Sequence, residues 1–252
     1  MKALITGASS GIGKEIARYL ASLNYDLILV ARSENKLKEL KSELNSVDVK
    51  FITADLSNEE VCFDLYEKTK KENIDFLVNN AGFGAYGKFL EVPLKKELEL
   101  INTNVKAVHI LTKLYLKDMV AKNRGYILNV GSSAGFLAGP TFSSYYASKN
   151  YVVRLSQAIS EELKRDKSNV SVSVLCPGPV QTNFNDVADV KFCIKGLTPE
   201  YVAKYAVDKT LKGKTIIIPG VKMKATKIIQ HFASENFVTK ISYNVQMRKN
   251  GK

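Results

Sequence analysis

Cysteine and histidine are both scarce in this chain of 252 residues, with three of the first and two of the second. Cys62, Cys176 and Cys193 show no paired spacing and leave one over in any disulfide scheme, so reduced thiols and a cytoplasmic location are expected. No run approaches the roughly 18 apolar residues that a bilayer span needs. Met1-Lys2 leads straight into an apolar strand pattern, without the basic and long apolar regions of a secretory leader. Internal repeats, low-complexity tracts and linkers are missing too, which leaves one domain. A chain of this size buries about three quarters of its unfolded surface and needs neither disulfides nor a structural metal.

Positive charge is in excess, at +12 net. It is concentrated at the end of the chain, where ten Lys or Arg face one acidic residue, Glu235, between Lys209 and Lys252. Such a face is either simply solvated or drawn to an anionic lipid surface or an acyl-carrier partner. Nucleic acid is not expected, because no recognition motif accompanies the charge.

Short apolar runs rich in β-branched residues alternate with stretches of helical period. Ala3–Thr6, Asp26–Ala31, Val49–Ala54, Asp75–Val78, Tyr126–Gly131, Val170–Cys176 and Thr215–Ile218 read as strands. Lys14–Leu23, Lys36–Leu44, Glu59–Lys71, Val105–Lys122 and Tyr151–Leu163 read as helices. The alternation predicts an α/β fold, a Rossmann-like doubly wound parallel sheet with ligands at the carboxyl ends of its strands. Residues 1–220 form the domain, 177–197 an irregular substrate loop, and 221–252 a basic helical extension packed on the same domain. The loop ends at Thr198-Pro199-Glu200, an N-cap followed by proline at N1.

Thr6-Gly7-Ala8-Ser9-Ser10-Gly11-Ile12-Gly13 ends the first strand and opens a helix. Gly7, Ser9, Ser10, Gly11, Ile12 and Gly13 are therefore candidates to hold a pyrophosphate, with unpaired N–H groups and the positive end of the helix dipole turned toward it. Gly7 to Gly11 also matches a Gly-x-Ser-x-Gly nucleophile elbow, but neither histidine, His109 in a helical stretch or His231 in the basic tail, sits in a post-strand loop where a triad would need it. After the second strand stand Ala31-Arg32, without the acid that would favour NAD. Arg32 can instead accept a 2′-phosphate, which favours NADP(H), or can sit in solvent beside Glu34.

With Asn79-Asn80-Ala81-Gly82, Ser132 and Tyr145-x-x-x-Lys149 added in this order, the chain resembles the short-chain dehydrogenase/reductase family, in its NADP(H)-preferring type, over roughly Lys2 to Pro219. The resemblance implies interconversion of a carbonyl and a secondary alcohol. It implies cofactor contacts from Asp55 and Leu56, from Asn80, Ala81 and Gly82, and from Pro177, Gly178, Val180 and Thr182. Tyr145 is implied as the acid/base and Lys149 as the group that lowers its pKa and holds ribose, both also touching the cofactor. Ser132 (or, with a shift of one, Ser133) is implied to polarise the carbonyl, and Asn104 to support a proton relay through water, or else to be a kinked-helix residue bonded to backbone. Homodimers or homotetramers are implied through the long helices.

Positions i and i+4 share a helical face, so Lys149 can stand beside Tyr145 and favour its phenolate. Tyr66–Lys70 and Tyr205–Lys209 repeat the spacing and read as exposed helical pairs; Tyr146 reads as packing. Phe83, Tyr86, Phe136, Leu137, Ala138, Phe142, Phe184, Val187 and Phe192 suggest an apolar pocket for a ketone, 3-oxoacyl or steroid-like substrate, or are core. Ile228, Ile229, Phe232 and Ile241 suggest one apolar stripe on a C-terminal helix that packs on the body, caps the cleft or lies on a membrane. The alternative to an enzyme is a catalytically silent protein that senses NADP(H).

Overall fold

The computed structural model describes residues 1–182, 184, 196–231 and 233–249; Val187, Phe192, Cys193 and Phe232 lie outside the described residues. Seven strands run parallel in the order β3-β2-β1-β4-β5-β6-β7. They are β1 (Lys2–Thr6), β2 (Asp26–Ala31), β3 (Val49–Thr53), β4 (Phe76–Asn79), β5 (Gly125–Val130), β6 (Val170–Leu175) and β7 (Ile216–Ile217). Each expected strand is present, β2 with the expected bounds and the others with shifted ends, and β7 is cut to two residues.

Alternate strand residues feed two separate cores, which is why the strands read as continuous apolar runs. Ala3, Ile5, Leu27 and Leu29 face α1 (Gly11–Ser22) and α2 (Glu34–Glu43), while Leu4, Ile28 and Val30 point to the other side, toward α3 (Glu59–Thr69). Both sets are buried to 1% exposure or less. At about 25 cal/mol per Å² of apolar surface, these two layers supply the main force for folding.

Two helices begin earlier than their period suggested. The chain is helical from α4 (Leu94–Ile101) through a π-helical segment, Asn102–Ala107, into α5 (Val108–Ala121). The π segment advances the helical phase, so the apolar stripe of α4 does not continue into α5 and a single period cannot span both. The helix expected from Tyr151 is α6 (Ser143–Arg165). Its first turns bury Tyr145, Ser148 and Lys149 in place of apolar residues, which hides them from a hydrophobic pattern. Thr198 caps α7 (Pro199–Leu211), accepting from the Tyr201 N–H with proline in the first turn, as expected.

The tail forms two helices, α8 (Val221–His231) and α9 (Glu235–Lys249), not one stripe, and Ile228, Ile229 and Ile241 are exposed. Tyr66 is half-buried rather than exposed: its hydroxyl donates to Asp118 at 3.0 Å and its ring meets Tyr115 edge-on. Among the described residues no helix is long and apolar enough to cross a membrane.

Candidate active site

Strand order reverses between β1 and β4, and a cleft of about 640 Å³ opens at the carboxyl ends of the strands there. The two turns that form its floor are tied together. The Thr6 hydroxyl donates to the Val78 carbonyl (3.2 Å) and accepts from the N–H groups of Asn80 and Ala81 (3.0 and 3.1 Å). The Asn80 carboxamide donates to the carbonyls of Thr6 and Gly7 (3.1 and 3.0 Å). Gly7 has φ +63°, and a Cβ there would lie 2.7 Å from the Asn80 carboxamide, so both the turn and the close approach require glycine.

Gly7, Ser9, Ser10, Gly11 and Ile12 line the cleft; Gly13 does not. A Cβ on Gly13 would collide with the Gly7 carbonyl oxygen and the Asn80 carboxamide, so this glycine lets α1 close on β1. Ser10 is the N-cap of α1, but its side chain makes no capping bond, and the first turn contains no acidic residue. The N-terminus of α1 is thus left to an external anion, as a pyrophosphate would require.

At one end of the cleft lie Arg32, Asp55 and Leu56, together with Ser33 and Lys36, which sequence reasoning passed over. The signal was present as a basic residue four positions after Arg32. Glu34 pairs with Lys38 at 2.7 Å and not with Arg32. Among the described residues no carboxylate forms an ion pair with Arg32 or Lys36, so both cations are available to a phosphate. The Asp55 carboxylate accepts from the Ser57 N–H at 3.0 Å and holds the turn after β3.

Ser132, Tyr145 and Lys149 meet at the other end. Ser132 caps a 3₁₀ turn, Ser133–Phe136, and its Oγ accepts from the Ala134 N–H at 3.1 Å, which leaves its own proton free to donate. Ser132 stands beside the Tyr145 hydroxyl and favours its ionised form. Ser133 also lines the cleft, with its N–H given to the Pro177 carbonyl. Burial pushes the Tyr145 phenol up to about 12, partly opposed by Ser132. Burial also brings the Lys149 ammonium down to about 8. The expected depression of the tyrosine by the lysine is therefore not seen among the protein's own groups: desolvation raises the phenol, and the opposing influence is Ser132. Lys149 Nζ donates to the Val130 carbonyl at 2.8 Å, so two of its three donors remain for the cleft.

Asn104 does not line the cleft. It sits in the π segment, where its carboxamide accepts from the Phe83 N–H (3.1 Å) and donates to the Phe83 carbonyl (2.9 Å) and Ser148 Oγ (3.1 Å). Its side chain is therefore committed to holding the chain after Gly82. Ala81, Gly82, Pro177, Gly178, Val180 and Thr182 all line the cleft, with Thr182 packed against Gly11. Cys176 beside them is no nucleophile, since burial pushes its thiol up to about 12.

Phe83, Phe142 and Phe184 form the aromatic wall around Tyr145, whose ring lies 5.1 Å from Phe142 and 5.4 Å from Phe184. Tyr86 stands behind Phe142, and Phe136 turns away to pack beside Met223. Leu137 and Ala138 are not part of the lining. The wall is completed by residues that sequence reasoning did not assign to it: Tyr146, and Met223, Val245 and Gln246 from α8 and α9. Gln246 donates to the Tyr146 hydroxyl, so the tail caps the cleft.

The family model described as short chain dehydrogenase matches residues 1–190. A 7beta-hydroxysteroid dehydrogenase of Mediterraneibacter gnavus is 30% identical over 233 residues, covering 88% of this chain and 87% of the relative. A 3-oxoacyl-[acyl-carrier-protein] reductase of Rickettsia prowazekii is 33% identical over 188 residues, 75% of this chain and 76% of the relative. The structure of a short-chain dehydrogenase from Sphingobium yanoikuyae in complex with NADPH superposes with a TM-score of 0.84 at 27% identity, covering 94% of each chain.

Proposed function

The chain belongs to the short chain dehydrogenase family, and from that premise we propose that it is an NADP(H)-dependent reductase of hydrophobic ketones that uses Tyr145 as its proton donor. It is an oxidoreductase that interconverts a carbonyl and an alcohol with a nicotinamide cofactor. The preference for NADP(H) is supported by Arg32 and Lys36, two cations without carboxylate partners among the described residues, beside Ser33 at the start of α2. A hydrophobic substrate, whether ketone, 3-oxoacyl or steroid-like, is supported by the wall of Phe83, Phe142, Phe184 and Met223.

The cleft residues would hold a reduced nicotinamide, whose chemistry would be the supply of a hydride to the carbonyl carbon. The oxygen then needs a proton, and Tyr145 gives it. Ser132, with its Oγ already accepting from Ala134, points a donor at the oxygen as negative charge builds there. Lys149 would keep a positive charge beside the tyrosinate that forms, and its spare donors would be available to the ribose hydroxyls of a bound cofactor. Asn104 acts as a positioning residue: it fixes the Gly82–Phe83 backbone against Lys149. Gly13 holds the turn rather than the cofactor.

The observation that carries this reading is the meeting of Ser132, Tyr145 and Lys149 at the aromatic end of a cleft whose other end presents Arg32 and Lys36. The chain is further read as a cytoplasmic homodimer or homotetramer pairing through α5 and α6, whose Val120 and Tyr151 are exposed. The test is NADPH and NADH oxidation over a panel of ketones, 3-oxoacyl thioesters and oxosteroids. NADPH-dependent turnover that Tyr145→Phe abolishes is the expected result. Tight NADPH binding with no turnover across the panel would favour the sensor instead.

A further inference from the structure

An amphipathic helix on a globular domain normally turns its apolar stripe to the body. Where the side chains of α8 and α9 are described, Met223 packs on the body in this way, but much of the remaining apolar surface faces outward. In α9 the buried residues are Ser242 and Gln246, one turn apart, and they meet the Tyr146 hydroxyl. Phe237 and Ile241, also spaced by four, lie outside, at 58% and 47% exposure. In α8 Lys227 turns inward over the Phe136 ring, while Val221, Ile228 and Ile229 are exposed by 80%, 63% and 68%. Burying these side chains would be favourable, so an outward apolar face of this extent marks a contact surface.

Charge narrows the choice of occupant. Val221–Lys252 carries seven Lys or Arg against Glu235 alone. Two copies meeting through this segment would bring like charges together, whereas an anionic surface would be attracted. An acidic protein would satisfy the cations but would not require an apolar face spread over two helices. Exposed isoleucine and phenylalanine among lysines suit the boundary between headgroups and acyl chains. We propose that the outer face of α8 and α9 docks on an anionic lipid bilayer, with Ile228, Ile229, Phe237 and Ile241 entering the interface and Lys240 among the cations at the headgroups.

Docking acquires a consequence from the cleft. Met223 of α8 and Val245 of α9 line it, so the docked helices place the mouth of the cleft at the bilayer surface. A hydrophobic carbonyl compound dissolved in lipid would then enter without crossing water. This second step rests on the proposed reduction of hydrophobic ketones; the docking does not.

The test uses the full chain and sedimentation with vesicles of phosphatidylcholine, with and without phosphatidylglycerol. Binding to the anionic vesicles is expected, with little to the neutral ones. Lys240→Gln should weaken it about fivefold, since each cation near such a surface contributes about 1 kcal/mol. Ile228→Asp/Phe237→Asp should abolish it and leave NADPH-dependent turnover of a small water-soluble ketone unchanged. Turnover of a lipid-dissolved ketone should fall in the same variant. Equal binding to both vesicles, or binding that survives the double substitution, would overturn the proposal. So would a change of oligomeric mass in the double variant without vesicles, which would make a second copy the occupant, or capture of an acidic acyl-carrier protein with no vesicle binding. Failed docking alongside normal ketone reduction would leave the enzymatic reading standing.

Discussion

The Lys149 ammonium lies 5.7 Å from the centroid of the Tyr145 ring, one turn further along α6, with both residues buried. Helical spacing brings them together, and burial sets their protonation in opposite directions. The tyrosine is held as phenol and the lysine is brought close to losing its charge near neutral pH. A proton donor must be protonated at working pH and must give its proton up when charge develops on the substrate oxygen. Tyr145 meets the first condition by itself and depends on Ser132 and Lys149 for the second.

Tyr145→Phe removes the hydroxyl and keeps the ring that packs on Phe142 and Phe184. Turnover should fall by about 10²–10⁴-fold, the usual contribution of a positioned acid. NADPH affinity, measured by fluorescence titration, should change by less than about threefold. A variant that keeps a tenth of the activity would move the proton donation to another group.

The pH dependence follows from Lys149. Below about 8 it is the ammonium that stabilises tyrosinate, and above that it becomes neutral. The limb of kcat/KM for NADPH-dependent reduction should therefore fall as pH rises through about 8. An alkaline limb near 10 or higher would show that Lys149 keeps its charge. Stability moves the other way. The folded lysine has a pKa below its unfolded 10.5, so from about 8 to 10.5 the unfolded chain holds the extra proton. Lys149 alone makes unfolding less favourable as pH rises across that window. Lys149→Met should remove this rise from denaturant titrations taken at pH 8 and 10.

Arg32→Ala and Lys36→Ala should each weaken NADPH binding by roughly 10- to 100-fold, the value of a hydrogen bond to a charged group. NADH binding should scarcely change, because among the described residues neither cation has a carboxylate to release. Equal losses for both cofactors would place these residues outside the 2′-phosphate site.

The strands and the motif set were legible because parallel strands are apolar on both faces and because Tyr145, Lys149 and the glycine turn have fixed spacing. What stayed hidden had physical causes. The π segment broke the period at Asn102–Ala107, so α4 was missed. Lys36 is a common surface residue, and only its position at the start of α2 brings it to Arg32. Gln246 reaches Tyr146 across 100 residues of sequence, a closure that no local pattern encodes. Asn104 and Gly13 stood in the motifs, yet spacing does not tell a cleft contact from a packing contact.

Asn104 offers a way to separate positioning from contact. Asn104→Leu is similar in size, but it leaves the Phe83 N–H and carbonyl without the partners they now have at 3.1 and 2.9 Å. Each unsatisfied buried group costs about 1–3 kcal/mol, so the melting temperature should fall by several degrees. Because the Gly82 backbone lies between Asn104 and Lys149, the slackened segment should also lower kcat, with KM for NADPH rising less. Asn104→Asp keeps the acceptor for the Phe83 N–H and loses the two donors, so it should recover part of both properties. A leucine variant that melts normally and loses only kcat would instead assign Asn104 directly to the proton relay.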